Sequence, residues 1–280
     1  MQNPIPPKVR TIRAQDRSPG LLQALIELYY HRELLVAWSI REIKVRYKQT
    51  LLGVLWAILQ PLVLMALFSI IFTHFISVPT DGIAYPIFSY TALLPWTFFA
   101  NAVTFGTPSL VSNMNLVTKI YFPREIIPLA AIAASLLDLL VAAAVLIGMM
   151  LCYGVPLHGT ALLVPIVLLA QILLTIGVVL FAAALNVFYR DVRFVIPLLV
   201  QAWMYVTPVI YPISAVPARF RSLYMLNPMA GLIESYRALL LHGELPPWNY
   251  WGSAAVISLA VFWFAYRWFK RVEQGFADLI

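Results

Sequence analysis

Five stretches of this chain are each long and apolar enough to cross a lipid bilayer, and nothing else in the sequence constrains the fold as strongly. They run at about 53–76, 87–107, 126–153, 161–188 and 250–269. A helix of about 20 apolar residues covers the hydrocarbon thickness. Backbone groups surrounded by lipid must satisfy one another, so such stretches fold as helices. Composition agrees: 62% of the 280 residues are hydrophobic and 11% are charged. A soluble domain carries about 25% charged residues. A soluble globular domain, a nucleic-acid binder and a disordered tail are thereby excluded as the main architecture. Pro61 and Pro95 fall inside two of the stretches. Proline is tolerated in a membrane helix where neighbouring helices satisfy the freed carbonyl.

Residues 194–212 are long enough for a sixth span. The piece that follows, through residue 247, is half apolar. It is broken by Pro217 and Pro228 and carries Arg219, Arg221, Glu234 and Arg237. It reads either as a seventh span or as a re-entrant pair of short helices, and charge decides between them. Six spans with the N-terminus inside place sixteen of the nineteen Lys and Arg residues on the inner side. A seventh span would move Arg267, Lys270 and Arg271 outside. Basic residues concentrate in cytoplasmic segments, so six spans and an outer re-entrant segment are expected. The outer connections near Asp81 and His158 lack Lys and Arg, which fits.

The first 20 residues hold Lys8, Arg10, Arg13 and Arg17, four prolines and no apolar run. No removable signal peptide is expected there, and the N-terminus is expected to stay in the cytoplasm. Ser18-Pro19 reads as a helix start. Leu21, Leu22, Leu25, Ile26 and Tyr29 then share one face, as in a helix lying in the membrane interface. Arg41, Lys44 and Lys48 follow at helical spacing, opposite Ile40, Ile43 and Tyr47. This basic face suits anionic headgroups or a docking partner. The expected organisation is a cytoplasmic segment over 1–52 and one transmembrane domain over 53–280.

Signatures of bond chemistry are missing. No lysine follows a glycine, so there is no phosphate-binding loop. His31, His74, His158 and His242 are scattered without metal-ligand spacing. Cys152 stands alone, so neither an intrachain disulfide nor a cysteine metal site is available. Asp138 lies in the middle of an apolar span. An intramembrane carboxylate invites a functional reading, but a proton-coupled carrier usually needs more than one such group, and a structural role is expected, with the carboxylate either paired with a neighbouring helix or kept protonated. Trp96, Phe98, Phe99, Trp248, Tyr250 and Trp251 fall near span ends, as interfacial aromatics do. Trp56, Trp203 and Tyr205 lie within spans near Gln60 and Gln201. An aromatic face with amides suits sliding contact with sugar rings, and it suits helix packing equally.

The connections are more telling. SNMNLVTKIYFPREIIPLA (112–130) and NVFYRDVRFVIP (186–197) are short and charged, and both are expected on the cytoplasmic side. Along the chain stand RYKQTLLGVLWAILQPLVLM (46–65), LLPWTFFANAV (93–103), SLVSNMNLVTKIYFPREIIPLA (109–130), NVFYRDVRFVIPLLVQ (186–201), TPVIYP (207–212) and LNPM (226–229). Together, in this order, these pieces resemble the membrane subunit of the ABC-type polysaccharide exporters. That family moves O-antigen, capsule or teichoic acid across the bacterial inner membrane.

The resemblance implies an all-α polytopic membrane protein with six transmembrane helices, an N-terminal interface helix, periplasmic re-entrant helices and both termini cytoplasmic. It implies a homodimer working with two copies of a separate ATPase. The cofactors, ATP and Mg, belong to that partner and none to this chain. The substrate would be a lipid-linked polysaccharide, and membrane lipids complete the partners. Spans one and five would line a channel between protomers, making Trp56, Gln60, Gln201, Trp203 and Tyr205 the pathway candidates. Lys119, Tyr121, Phe122, Pro123, Arg124 and Glu125, with Arg190 and Asp191, would couple to the ATPase. A drug or other lipid as cargo, a membrane enzyme acting on polyprenyl lipids, and a proton-coupled carrier are the competing readings.

Overall fold

The computed structural model describes residues 21–48, 50–75, 80, 82–119 and 122–277. Helices dominate, and no strand occurs among these residues. In chain order they are α1 (Leu21–Tyr30), α2 (Arg32–Tyr47), α3 (Leu55–His74), α4 (Tyr85–Gly106), α5 (Ser109–Ser112) and α6 (Met114–Lys119). Then come α7 (Ile126–Cys152), α8 (Val164–Phe188), α9 (Val192–Val206), α10 (Ala218–Tyr224), α11 (Pro228–Arg237) and α12 (Trp248–Val272). Ser18 and Pro19, the expected start of the first helix, lie outside the described residues.

The long apolar runs fold as helices within a few residues of where the sequence places them. Their ends have local causes. Gly154 takes a left-handed conformation after α7, at φ 68°. The Val155 amide then closes back onto the Met150 carbonyl at 2.9 Å, the capping pattern glycine permits. At α11 the Asn227 side chain accepts from the Met229 amide, with Pro228 opening the helix.

By length and apolarity alone, four helices among the described residues qualify as membrane spans: α3, α7, α8 with its leading 3-10 turn, and α12. The chain is a multi-pass membrane protein. α4 is long enough at 22 residues, but Tyr, Ser, Thr, Trp and Asn side chains dilute its hydropathy. The expected span at 194–212 is corrected in one respect: its helix, α9, ends at Val206 after 15 residues. At 1.5 Å per residue that is about 22 Å, short of a bilayer core of about 30 Å. Thr207 and Pro208 end it, and 207–212 continues without helix.

α4 is the centre of the molecule. Sixteen of its 22 residues are buried, and α3, α7, α8, α9 and α11 all pack on it. α12 lies along α8, with α11 beside it. Glycine permits the closest crossings. A Cβ at Gly177 would sit 2.9 Å from the Phe262 backbone, and one at Gly231 would sit 2.3 Å from the Tyr250 carbonyl oxygen. Small residues give helices this approach in membranes. The buried amide of Gln171 is satisfied on both sides: it donates to the Pro95 carbonyl at 2.6 Å and accepts from the Tyr236 hydroxyl at 2.8 Å.

Burial is uneven. α3 buries only Pro61 and Phe68, and α9 only Val200. Trp96, Phe98 and Phe99, expected at the membrane interface, are instead core residues of α4. Their rings pack against neighbouring helices because α4 is enclosed on nearly all sides. Trp248 stays exposed, as an interfacial residue would.

Candidate coupling and pathway sites

The loop into α7 carries the expected coupling residues. Phe122 and Pro123 are buried, and Arg124 is half-buried. Tyr121 lies outside the described residues, as does the side chain of Lys119. Glu125 is the residue before α7, where a carboxylate could cap the helix. It makes no cap. Its side chain is 0% exposed and meets Lys270 Nζ at 2.7 Å. The Tyr266 hydroxyl donates to the same carboxylate at 3.2 Å. Lys270 also reaches Glu273 at 3.1 Å. The loop is therefore fastened to the last span, and Glu125 cannot itself touch a partner in this conformation.

Burial pushes the Glu273 carboxyl up to about 7, with Lys270 pulling the other way. Phe276 closes the cluster, edge-on to Phe269 and Phe188 and facing the Arg124 guanidinium. Arg190 and Asp191, at the turn before α9, are exposed. Lys270, Glu273, Tyr266 and Phe276 were not legible as site residues. In the sequence, Lys270 counts only as one more inner-side charge.

A second ionic cluster surrounds Asp138. Its carboxylate takes hydrogen bonds from the Arg46 guanidinium and the Tyr47 hydroxyl at the end of α2. Arg46 lies over the Phe105 ring, 4.3 Å from its centroid. Burial, then Asp138 itself, pushes the Tyr47 hydroxyl above its ordinary range and keeps it a donor. The intramembrane carboxylate thus has its partner on the N-terminal helix, not on another span. Beside it a cavity of about 10 Å³ is lined by Gln60, Thr97, Asn101 and Asp138 among others, room for about one water.

The pathway candidates separate into two groups. Trp56 is 48% exposed on α3, and Gln60 is exposed there too. Tyr205 is 54% exposed on α9, and Gln201 is exposed. α3 and α9 both pack on α4 and not extensively on each other, so the protomer does not bring the groups together. Trp203 differs. It is half-buried and edge-on to Phe99 at 5.2 Å, and its indole N–H donates to Asn227 at 3.0 Å. It holds α9 to α4 and to the start of α11.

The non-helical stretch 207–212 exposes carbonyls that no helix satisfies. Arg237, 1% exposed, donates to the Pro208 and Val209 carbonyls, each at 2.7 Å. The Tyr85 hydroxyl donates to the Ile210 carbonyl at 2.7 Å. The Arg237 guanidinium also stacks on Phe88. Among the described residues no three His, Cys, Asp or Glu side chains gather as a metal site would need.

The family model for the ABC-2 type transporter matches residues 33–241, from the start of α2 through the turn after α11. The chain belongs to the ABC-2 type transporter family. As such it is of the permease class, a transport subunit. It is 30% identical to the O-antigen export system permease protein RfbA of Myxococcus xanthus over 264 residues, covering 93% of this chain and 100% of that protein. Against the permease of the same name from Klebsiella pneumoniae it is 32% identical over 219 residues, 78% of this chain and 84% of that one. The polysialic acid transport protein KpsM of Escherichia coli is 25% identical over 213 residues, 75% of this chain and 81% of that one. In this ABC-2 transporter the matched region holds Glu125, Asp138 and Arg237, while Lys270 lies beyond it.

Proposed function

We propose that the chain is the permease of an ATP-driven exporter that moves a lipid-linked polysaccharide, of the O-antigen kind, across the bacterial inner membrane. The observation that carries this reading is likeness along the whole length of an O-antigen export permease. The permease does no bond chemistry. ATP, with Mg, is hydrolysed on two copies of a separate ATPase.

Six helices cross: α3, α4, α7, α8, α9 extended by 207–212, and α12. α10 and α11 re-enter from the periplasmic side, and both termini are cytoplasmic. Two protomers meet through the faces of α3 and α9 that the protomer leaves uncovered. That meeting places Trp56 and Gln60 near Gln201 and Tyr205 of the other copy along a shared channel. A polymer of sugars needs such a polar lining, because each unsatisfied polar group in hydrocarbon costs several kcal/mol. Flat aromatic faces contact sugar C–H groups while amides exchange hydrogen bonds with passing hydroxyls. Arg190, Asp191 and the exposed part of the 112–125 loop receive the ATPase.

Deleting the gene in its host tests the reading. The surface polymer should vanish while lipid-linked polymer accumulates inside, and both effects should reverse on complementation. Unchanged surface polymer would overturn it. The likeness to a polysialic acid transport protein favours capsule as the second cargo class, and the polymer that is lost tells the two apart.

A further inference from the structure

The inner end of the molecule has a hydrophobic core of its own, separate from the larger one around α4. Leu110, Phe122, Ile126, Leu180, Phe269 and Phe276 are among its buried members. It joins the loop before α7, the end of α8, the end of α12 and the residues after α12. Leu28, Leu34, Leu35 and Trp38 of the N-terminal helices pack against it. At its edge sits the Glu125–Lys270 pair, both partners buried, with Tyr266 and Glu273 completing the polar contacts. Close-packed interiors transmit displacement rather than absorb it. A buried ion pair resists separation far more than one at the surface.

We infer that the end of α12 and the turn after it form a second coupling arm. Lys270 grips Glu125 and Phe276 wedges beside Arg124, so a push on the 112–125 loop moves α7 and α12 as one body. Glu125 and Lys270 are positioning residues here: neither touches ATP or cargo. The inference rests on the proposed ATPase-driven export, and it adds a span that the loop's own sequence does not reach.

The test uses the whole permease–ATPase complex in proteoliposomes, reading ATP hydrolysis and polymer movement together. A neutral triple variant, Glu125→Gln with Lys270→Met and Glu273→Gln, also removes the carboxylate that Lys270 reaches at 3.1 Å, so it strands no charge in the cluster and preserves the fold. It should assemble and hydrolyse ATP, yet move about ten-fold less polymer per ATP, the size of a typical inter-site coupling. Phe276→Ala should uncouple in the same direction. The charge swap Glu125→Lys with Lys270→Glu, made together with Glu273→Gln so that no second carboxylate faces position 270, should restore most of the ratio. A neutral variant with the wild-type ratio would overturn the inference. So would loss of assembly and hydrolysis in step with export, which marks a purely structural pair. If the wild-type complex itself moves no polymer with ATP, the underlying reading fails, and the inference falls with it.

Discussion

Asp138 and Arg46 show what a single residue does in this molecule. An ionised side chain in an apolar span is tolerated when it is paired, and α2 supplies the pair by running up against α7. Arg46→Met would leave the Asp138 carboxylate buried with only Tyr47 and would cost about 3–5 kcal/mol. Thermal unfolding in detergent should show a lower midpoint for Arg46→Met, with much of the loss recovered in Arg46→Met combined with Asp138→Asn. Glu273 makes a pH-dependent case. Its folded value, about 7, lies above that of an exposed glutamate, so the folded state binds the extra proton. Stability from this group therefore falls as pH rises from the ordinary glutamate range through about 7. Melting curves taken between pH 5 and 8 should show Glu273→Gln losing part of the wild-type slope. An identical slope would remove Glu273 from the account.

At the scale of elements, α3 and α9 stand out because they are apolar and yet bury almost nothing within the protomer. Trp56→Leu and Tyr205→Leu should lower export several-fold while leaving the melting midpoint within a degree or two, since both rings are uncovered. Trp203→Leu should lower the midpoint first, because it removes the packing on Phe99 and the hydrogen bond to Asn227. Measuring export and melting side by side separates the two classes. The spans themselves were legible in the sequence, because their length and apolarity are local properties. α7 is an instance: predicted over 126–153, it forms over 126–152. The ion pairs were not legible. Lys270 lies 145 residues from Glu125, and Arg46 lies 92 residues from Asp138. Nothing local to either side chain marks its partner. The enclosure of α4 was equally invisible, which is why Trp96, Phe98 and Phe99 read as interfacial although they form the core.

For the whole molecule the account is a permease that holds its N-terminal helices, the segment leading into α7 and the end of α12 together at one end. At the other end, Arg237 and Tyr85 hold an unwound stretch in shape. Six spans are the proposal that the charge asymmetry supports. A cysteine at position 242 should accept a membrane-impermeant thiol reagent from the periplasmic side, and one at 275 should not; the reverse pattern would sink the topology. The central claim is ATP-driven movement of a polysaccharide, and the most direct measurement is translocation itself. The purified permease and its ATPase are placed in proteoliposomes with lipid-linked polymer on the ATPase side. Polymer reaching the opposite face is followed by its protection from an added glycan hydrolase. Protection should rise with ATP and stay at background with a non-hydrolysable analogue or without the ATPase. Polymer that crosses without the ATPase on a proton gradient, or fails to cross with ATP present, would contradict the account.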